Sequence, residues 1–244
     1  MLWLRSGNRT NGSTCSPGSD ARLVERLKRG DEHAFLELYD LHLRSVYRFL
    51  MHMTGSTAVA EELTQEVFVV ILDSMCSGTV GQFDPGKGTM EGYLIGIARN
   101  LAREEHRRTR PLLPLENVLE SPEWNQLLEK FSQQNRVWDA AELLIARAEL
   151  RVLYHAILEL PPHYREVVVL CSLQEKGYRE AAAFLGCSEG TIASRMNRAK
   201  ALLAAKLQRS ARNEVRSATI CVKKGGPECE KNNPDKQRAK KPLA

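Results

Sequence analysis

The stretch GCSEGTIASRMNRAKALL, beginning at Gly186, carries hydroxyl, amide and guanidinium groups at helical spacing. Stepping about 100° per residue from Ile192 brings Met196, Ala199 and Leu203 onto one side; Gly190, Thr191, Ser194, Asn197 and Arg198 gather opposite, flanked by Arg195 and Lys200. Serine, asparagine and arginine bond base edges in the DNA major groove, and flanking cations meet phosphates. A helix packed along one side and laid in the groove along the other has this division. The competing reading is a basic, alanine-rich surface that is merely solvated.

A groove-reading helix needs a support that fixes its angle. The preceding YREAAAFL, Tyr178 to Leu185, makes two turns of helix in which small Ala182 admits a close crossing. Gly186 takes the positive φ that a sharp interhelical turn requires. Ser188 then caps the second helix, accepting from a backbone N–H near Thr191. The spacing of Ala182, Gly186 and Ile192 matches a helix-turn-helix.

A second set of cations lies upstream. Thr89 starts a helix in which Met90, Tyr93, Leu94, Ile97 and Leu101 face inward while Arg99, Arg103, Arg107 and Arg108 project elsewhere, and Pro111 stops it. The loop before it, CSGTVGQFDPGKGT, is too rich in glycine and proline to continue a helix. Earlier still, a short helix from about Ala21 to Arg29 ends at Gly30, and Asp31 caps a long one with an apolar stripe of Phe35, Tyr39, Leu43, Val46, Tyr47, Leu50 and Met53. Thr57 caps the next, in which Val59, Leu63, Val67, Val70 and Ile71 keep the period and Glu61, Glu62, Gln65 and Glu66 fall on other faces. A last helical block opens with Glu149 to Leu160, breaks at Pro161 and Pro162 and resumes through Val167, Val168 and Leu170.

At 244 residues the chain can bury one or two small cores. Leu, Ala, Glu and Arg recur at helical spacing and no strand hairpin is legible, so the expected fold class is all-α, in two helical domains. The formal charge of +5 is unevenly placed: from Lys206 to Ala244, 11 Lys and Arg face 4 Asp and Glu, while Leu112 to Glu149 holds 7 acids against 3 bases. The expected division is a disordered tail over 1–19, a helical domain over 20–110, a linker over 111–148, the helix-turn-helix domain over 149–208 and a basic disordered tail over 209–244. The six cysteines form no CxxC pair and have no interleaved histidine at zinc spacing, so reduced thiols, no metal and no cofactor are expected. No signal-peptide core and no run of about 20 apolar residues occur, which points to a cytoplasmic protein without membrane insertion. Walker loops, GxSxG and HExxH are absent, and His106 beside Glu104 and Glu105 sits on a cationic helix; no residue is assigned as catalytic.

The pairing of the two blocks carries a family resemblance. LPPHYREVVVLCSLQEKGYREAAAFLGCSEGTIASRMNRAKALL resembles the C-terminal DNA-binding domain (region 4) of extracytoplasmic-function sigma factors, the small sigma-70-type subunits of bacterial RNA polymerase. DEHAFLELYDLHLRSVYRFL, AEELTQEVF and FDPGKGTMEGYLIGIARNLAREEHRR resemble the N-terminal domain (region 2) of that family, in the same order. The resemblance spans about Asp20 to Leu207 and implies two helical domains on a flexible linker, binding core RNA polymerase through the clamp of its largest subunit and the flap of its second-largest. It implies that Glu62, Gln65 and Glu66 dock on the clamp. It places Gln82, Phe83, Asp84, Lys87, Arg99, Asn100, Arg103 and Arg107 on the minus-ten strand, where cations hold phosphates and contacts to an extruded base offset its unstacking, although Phe83 suits anchoring the loop by burial equally well. Ser188, Thr191, Ser194, Arg195, Asn197, Arg198 and Lys200 would then read the minus-thirty-five element, and an anti-sigma factor is an admissible further partner. Tyr93 stands where members usually carry tryptophan, Ala193 where Lys or Arg is common, and the linker and tail are long. A stand-alone helix-turn-helix regulator on duplex DNA is the alternative, distinguished by whether the chain co-purifies with core polymerase.

Overall fold

The computed structural model describes residues 17–76, 83–84, 88–108 and 140–223, and every regular element among them is helical. The N-terminal unit comprises α1 (Pro17–Lys28), α2 (Glu32–Thr54), α3 (Thr57–Cys76) and α4 (Met90–Arg108). The C-terminal unit comprises α5 (Ala140–Leu158), α6 (Pro162–Val168), a π-helical turn (Val169–Leu173), α7 (Tyr178–Leu185) and α8 (Glu189–Lys223).

Local chemistry accounts for most of the boundaries. The Asp31 carboxylate accepts from the backbone N–H groups of His33 and Ala34, filling two of the donors that the first turn of α2 leaves without a partner. Gly55 ends α2 in the left-handed region, at φ 73°, with its N–H donating to the Met51 carbonyl. The Ser56 hydroxyl, rather than Thr57, caps α3, accepting from Val59 N at 3.4 Å. Thr89 caps α4 as its position implies, with Oγ1 3.1 Å from Gly92 N. A second cap on α4 comes from α1: buried Asp20 accepts from Met90 N at 2.9 Å, pinning the first helix to the start of the fourth.

Several expected boundaries move. The first helix begins at Pro17, inside the stretch expected to be a tail, because proline suits the first helical position where its missing N–H has no role. Helix α5 begins at Ala140, within the expected linker, and α8 continues to Lys223, well past the expected start of the tail. A continuous run of helix formers with no Gly or Pro between Thr191 and Lys223 lets α8 propagate despite its low apolar content. After α6 the ladder widens into a π turn, with Gln174 N donating to Val169 O, and Glu175 reverses the chain at φ 59°. Such widened turns are absent from the apolar periodicity that sequence reading follows.

The two units are docked on one another and share a continuous apolar core, with Phe49, Leu50, Leu94 and Ile95 on one side and Leu160, Val167, Leu170 and Phe184 on the other. Two close approaches depend on glycine. A Cβ on Gly55 would lie 2.6 Å from Leu158 Cδ1, and one on Gly92 would lie 2.7 Å from Cδ1 of the Phe184 ring. Tyr154, fully buried, donates to the Met51 carbonyl and lies 3.1 Å from His52 Nδ1. The Arg165 guanidinium donates to Met53 O at the end of α2 and to Leu158 O and Leu160 O at the end of α5. One buried cation thus serves carbonyls at the C-termini of two helices, one from each unit, where the helix dipoles favour positive charge.

Candidate nucleic-acid and partner interfaces

The helix-turn-helix is assembled as its residues imply. Helix α7 ends at Gly186, at φ 62° and ψ 41°, whose N–H donates to the carbonyls of Ala182 and Ala183 while Cys187 N donates to Ala182 O. Ala182 is buried where the helices cross. Ser188 Oγ accepts from Thr191 N at 3.2 Å and lies 2.9 Å from the Thr191 hydroxyl. Ser188 and Thr191 therefore use their side chains on each other, at the start of α8. The buried side is Ile192, Met196 and Ala199, with Leu203 partly covered. Ser194, Asn197, Arg198 and Lys200 are exposed. Arg195 is half-buried, and its Nη1 is buried without a hydrogen-bond partner among the described residues.

The polar residues of α4 expected to bind DNA divide into two sets. Asn100 and Arg107 are exposed, but Arg99 and Arg103 turn toward the C-terminal unit. There they enclose Glu166, whose carboxylate is 0% exposed. Arg99 Nε donates to its Oε2 at 3.0 Å, Arg103 Nε to its Oε1 at 2.5 Å, and Arg103 Nη2 to Oε2 at 2.9 Å. Arg99 Nη1 also donates to Leu185 O at the end of α7. Charge-assisted forks of this kind are the strong class of hydrogen bond, and a buried carboxylate requires them.

Of the two roles open to Phe83, burial is the one found: its ring lies against that of Tyr93 at 5.4 Å between centroids and is not available to a base. Asp84 is exposed, while Gln82 and Lys87 lie outside the described residues.

On α3, Glu61, Glu62, Gln65 and Glu66 are exposed, whereas Phe68 is buried against Phe35 and Tyr39. Val70, expected on the inner stripe, is exposed together with Val69 and Leu72, because packing against α2 and α4 leaves that turn of α3 uncovered. The acidic surface therefore grades into an apolar one toward the C-terminal end of α3.

Other ionisable groups support the joint between units. Lys176 bridges Glu91 of α4 and Glu180 of α7, each at 2.8 Å, and sits 5.4 Å over the Phe184 ring. Burial pulls its pKa down, but the two carboxylates outweigh burial and hold it above the usual lysine value. Arg48 donates to Leu173 O and Gln174 to Ser45 O across the same seam. Burial lowers the Arg165 pKa to about 10 and that of His52 to about 3, and raises that of the Tyr154 phenol. Sequence reasoning missed Glu166, Arg165, Lys176 and Asp20. The available signal for the first two was a charged pair set directly before the apolar run Val167–Leu170, in phase with buried positions. For Asp20 there was none, since its partner is 70 positions away.

No group of His, Cys, Asp and Glu suited to a metal occurs among the described residues, and none of their helices is long and apolar enough to cross a membrane.

Comparison with known proteins matches residues 38–111 to Sigma-70 region 2 and residues 150–203 to Sigma-70 region 4. The ECF RNA polymerase sigma factor BldN of Streptomyces coelicolor is 31% identical over 198 residues, covering 78% of this chain and 66% of that protein. SigE of Mycolicibacterium smegmatis is 31% identical over 182 residues, covering 75% of this chain and 65% of that one. SigW of Bacillus subtilis is 28% identical over 189 residues, covering 76% and 95%. The chain thus spans just under two thirds of the length of the first two relatives. Among solved structures, CnrH in complex with the cytosolic domain of CnrY has a similar fold, with a TM-score of 0.52 and 23% identity over 78% of this chain and 97% of that one.

Proposed function

The chain belongs to the ECF sigma factors of the sigma-70 family, and from that premise we propose that it is a promoter-specificity subunit that joins core RNA polymerase and directs it to start transcription. The observation that carries this reading is the helix-turn-helix at α7 and α8, with Ile192, Met196 and Ala199 buried and Ser194, Asn197, Arg198 and Lys200 exposed. A helix so divided has a fixed support and an exposed polar edge of the kind that reads bases in the major groove. In this reading α8 reads the minus-thirty-five element, with Arg198 and Asn197 on bases and Lys200 and Arg195 on phosphates.

Minus-ten recognition falls to α4, where Arg99, Arg103 and Arg107 recur every four positions along one stripe of the helix and Asn100 lies on the neighbouring face. Arginines on such a stripe neutralise consecutive phosphates of an unpaired strand, and asparagine bonds a base edge. Strand opening then draws on the difference in affinity between single-stranded and duplex DNA and needs no catalytic residue. Clamp docking falls to the exposed surface of α3, where Glu62, Gln65 and Glu66 supply polar contacts and Val69 and Leu72 supply apolar area. CnrH is in complex with the cytosolic domain of CnrY, and a protein partner of the anti-sigma class is part of this reading for the present chain.

The test is reconstitution: the full chain mixed with core polymerase and promoter-containing DNA. Co-elution with polymerase and a defined transcript start are expected. A chain that binds duplex DNA unaided, never co-elutes with polymerase and starts no transcript would overturn the reading in favour of a stand-alone regulator.

A further inference from the structure

The minus-ten and minus-thirty-five positions are, by their names, about 25 base pairs apart, a span of about 85 Å at a rise of about 3.4 Å per base pair. In the structure, Arg99 of α4 touches Leu185 at the end of α7, 3.3 Å away. A chain in this conformation cannot occupy both elements. The sequence between Arg108 and Ala140, extended at about 3.3 Å per residue, reaches about 100 Å, enough to let the two units part. The docked arrangement is therefore a resting form, and its seam matters for function.

At that seam, the two arginines that the proposed function assigns to minus-ten phosphates are occupied by a carboxylate from the other unit. Glu166 presents two oxygens to Arg99 Nε, Arg103 Nε and Arg103 Nη2 at 2.5 to 3.0 Å, much as a phosphate would. Asn100 and Arg107, on the same helix, remain exposed, so the masking is confined to the two cations that face Glu166. The base-reading side of α8 also stays open. We infer that Glu166 is an internal phosphate mimic that keeps the minus-ten surface of α4 closed to single-stranded DNA until the two units separate. The inference rests on the proposed role of Arg99 and Arg103, and adds to it an autoinhibitory contact made within the chain.

Two features outside the ion cluster set how the form opens. Phe184 of α7 packs into the space left by Gly92 of α4, with no room for a Cβ. Lys176 ties Glu91 of α4 to Glu180 of α7. Gly92→Ala is consequently a wedge at the seam: it drives a methyl into a ring that is itself buried, while alanine is the better helix former and leaves α4 intact. Glu166→Gln tests the same seam by a second route, keeping the shape and removing the charge that holds the arginines.

The experiment uses the full chain without polymerase, as wild type, Glu166→Gln and Gly92→Ala, each also carrying Arg99→Ala and Arg103→Ala. Small-angle X-ray scattering reports compactness, circular dichroism reports helix content, and fluorescence anisotropy with a labelled random-sequence single-stranded oligodeoxynucleotide reports binding. The expected result is a compact wild type that binds weakly, and two expanded, fully helical single variants that bind about tenfold tighter or more, because the affinity lost to a closed form is the reciprocal of the open fraction. That gain disappears when Arg99 and Arg103 are removed. If the variants expand but bind no better than wild type, while removal of the arginines weakens all of them alike, the latch is wrong and the arginine assignment stands. If the arginines make no difference to any chain, open or closed, both fall. A wild type already as expanded as the variants overturns the latch. Should Glu166→Gln lose helix content, Gly92→Ala decides alone.

Discussion

Two glycines with open space around them are expected to respond to alanine with opposite signs, and the difference isolates what fixes the angle of the recognition helix. At Gly186 and at Gly96 an added Cβ meets nothing within 4 Å, so neither substitution creates a clash. Gly186, however, lies at φ 62° and ψ 41°, where an L side chain crowds the following carbonyl at a cost of about 1–2 kcal/mol. Gly96 sits inside α4 with ordinary helical backbone, where alanine is worth about 0.8–1 kcal/mol over glycine. Gly186→Ala should therefore destabilise the chain by about 1–2 kcal/mol and Gly96→Ala should stabilise it by up to about 1 kcal/mol. Gly186→Asn, which tolerates the left-handed region, should recover part of the loss. Urea denaturation followed by circular dichroism measures all three, and duplex binding by the minus-thirty-five surface should weaken only for Gly186→Ala. If Gly186→Ala were as stable as wild type, the left-handed turn would not be what holds α7 and α8 at their crossing, and the argument built on it would fail.

Three further outcomes are expected. Arg198→Ala should weaken promoter binding by about 1–3 kcal/mol if its guanidinium takes two bonds to one base; unchanged affinity and promoter choice in a gel-shift titration would remove it from the reading surface. Charge reversal at Glu62 and Glu66 should lower the yield of holoenzyme on gel filtration while leaving duplex binding intact, and an undiminished yield would exclude that part of α3 from the dock. Burial holds both His42 and His52 below the ordinary imidazole value, His52 at about 3 instead of 6.5. His52 is then neutral in the folded chain and protonates first in the unfolded one, so the stability it provides is complete well above pH 6.5 and drains as pH falls toward 3. Between pH 7.5 and pH 5, His52 alone should account for a loss of about 2 kcal/mol. The acid-induced drop in denaturation free energy should shrink by that amount in His52→Gln; an equal drop in both proteins would show that His52 is not the titrating group.

What the sequence made legible were features that repeat along it. The Asp31 and Ser188 caps and the Gly186 turn are local: each is set by residues within about one helical turn, and each forms as read. The stripe on α2 is met only in part: Val46, Leu50 and Met53 are buried, but Phe35, Tyr39, Leu43 and Tyr47 are partly covered, and the buried row runs one position earlier through Ala34, Leu38 and His42. The buried side of α8 likewise follows from spacing alone. What was not legible depends on long-range pairing. The carboxylate of Glu166 meets Arg103 across 63 positions, and no periodicity connects them. Phe83 is a second instance. An aromatic residue in a polar loop suits base stacking and suits anchoring equally well, and only the placement of Tyr93 at 5.4 Å decides for the core. Length was misjudged where helix continued without an apolar face to reveal it, as over the last turns of α8.

The balance of forces at the seam explains why a closed form of this kind can be opened at all. A carboxylate buried between guanidinium groups gives back in Coulomb energy roughly what its desolvation costs, so the intact Glu166 cluster adds little net holding strength, whereas removing its charge alone strands Arg99 and Arg103 at the seam and favours opening. Holding falls to the apolar contacts, Phe184 over Gly92 and Leu158 against Gly55, and to the carbonyls served by Tyr154 and Arg165. Opening the chain hydrates Glu166 and leaves two arginines for another anion, so the ionic part of the seam is nearly recovered when a phosphate replaces the carboxylate. To turn a population from about 1:99 open to 99:1, ligands must favour the open state by about 10⁴-fold, or about 5.5 kcal/mol. Polymerase and two promoter elements engage three separate surfaces, on α3, α4 and α8, and only an open chain can use them together. No one contact then has to supply the whole difference. Duplex bound by α8 alone should leave the chain closed, because its reading side is exposed in either form.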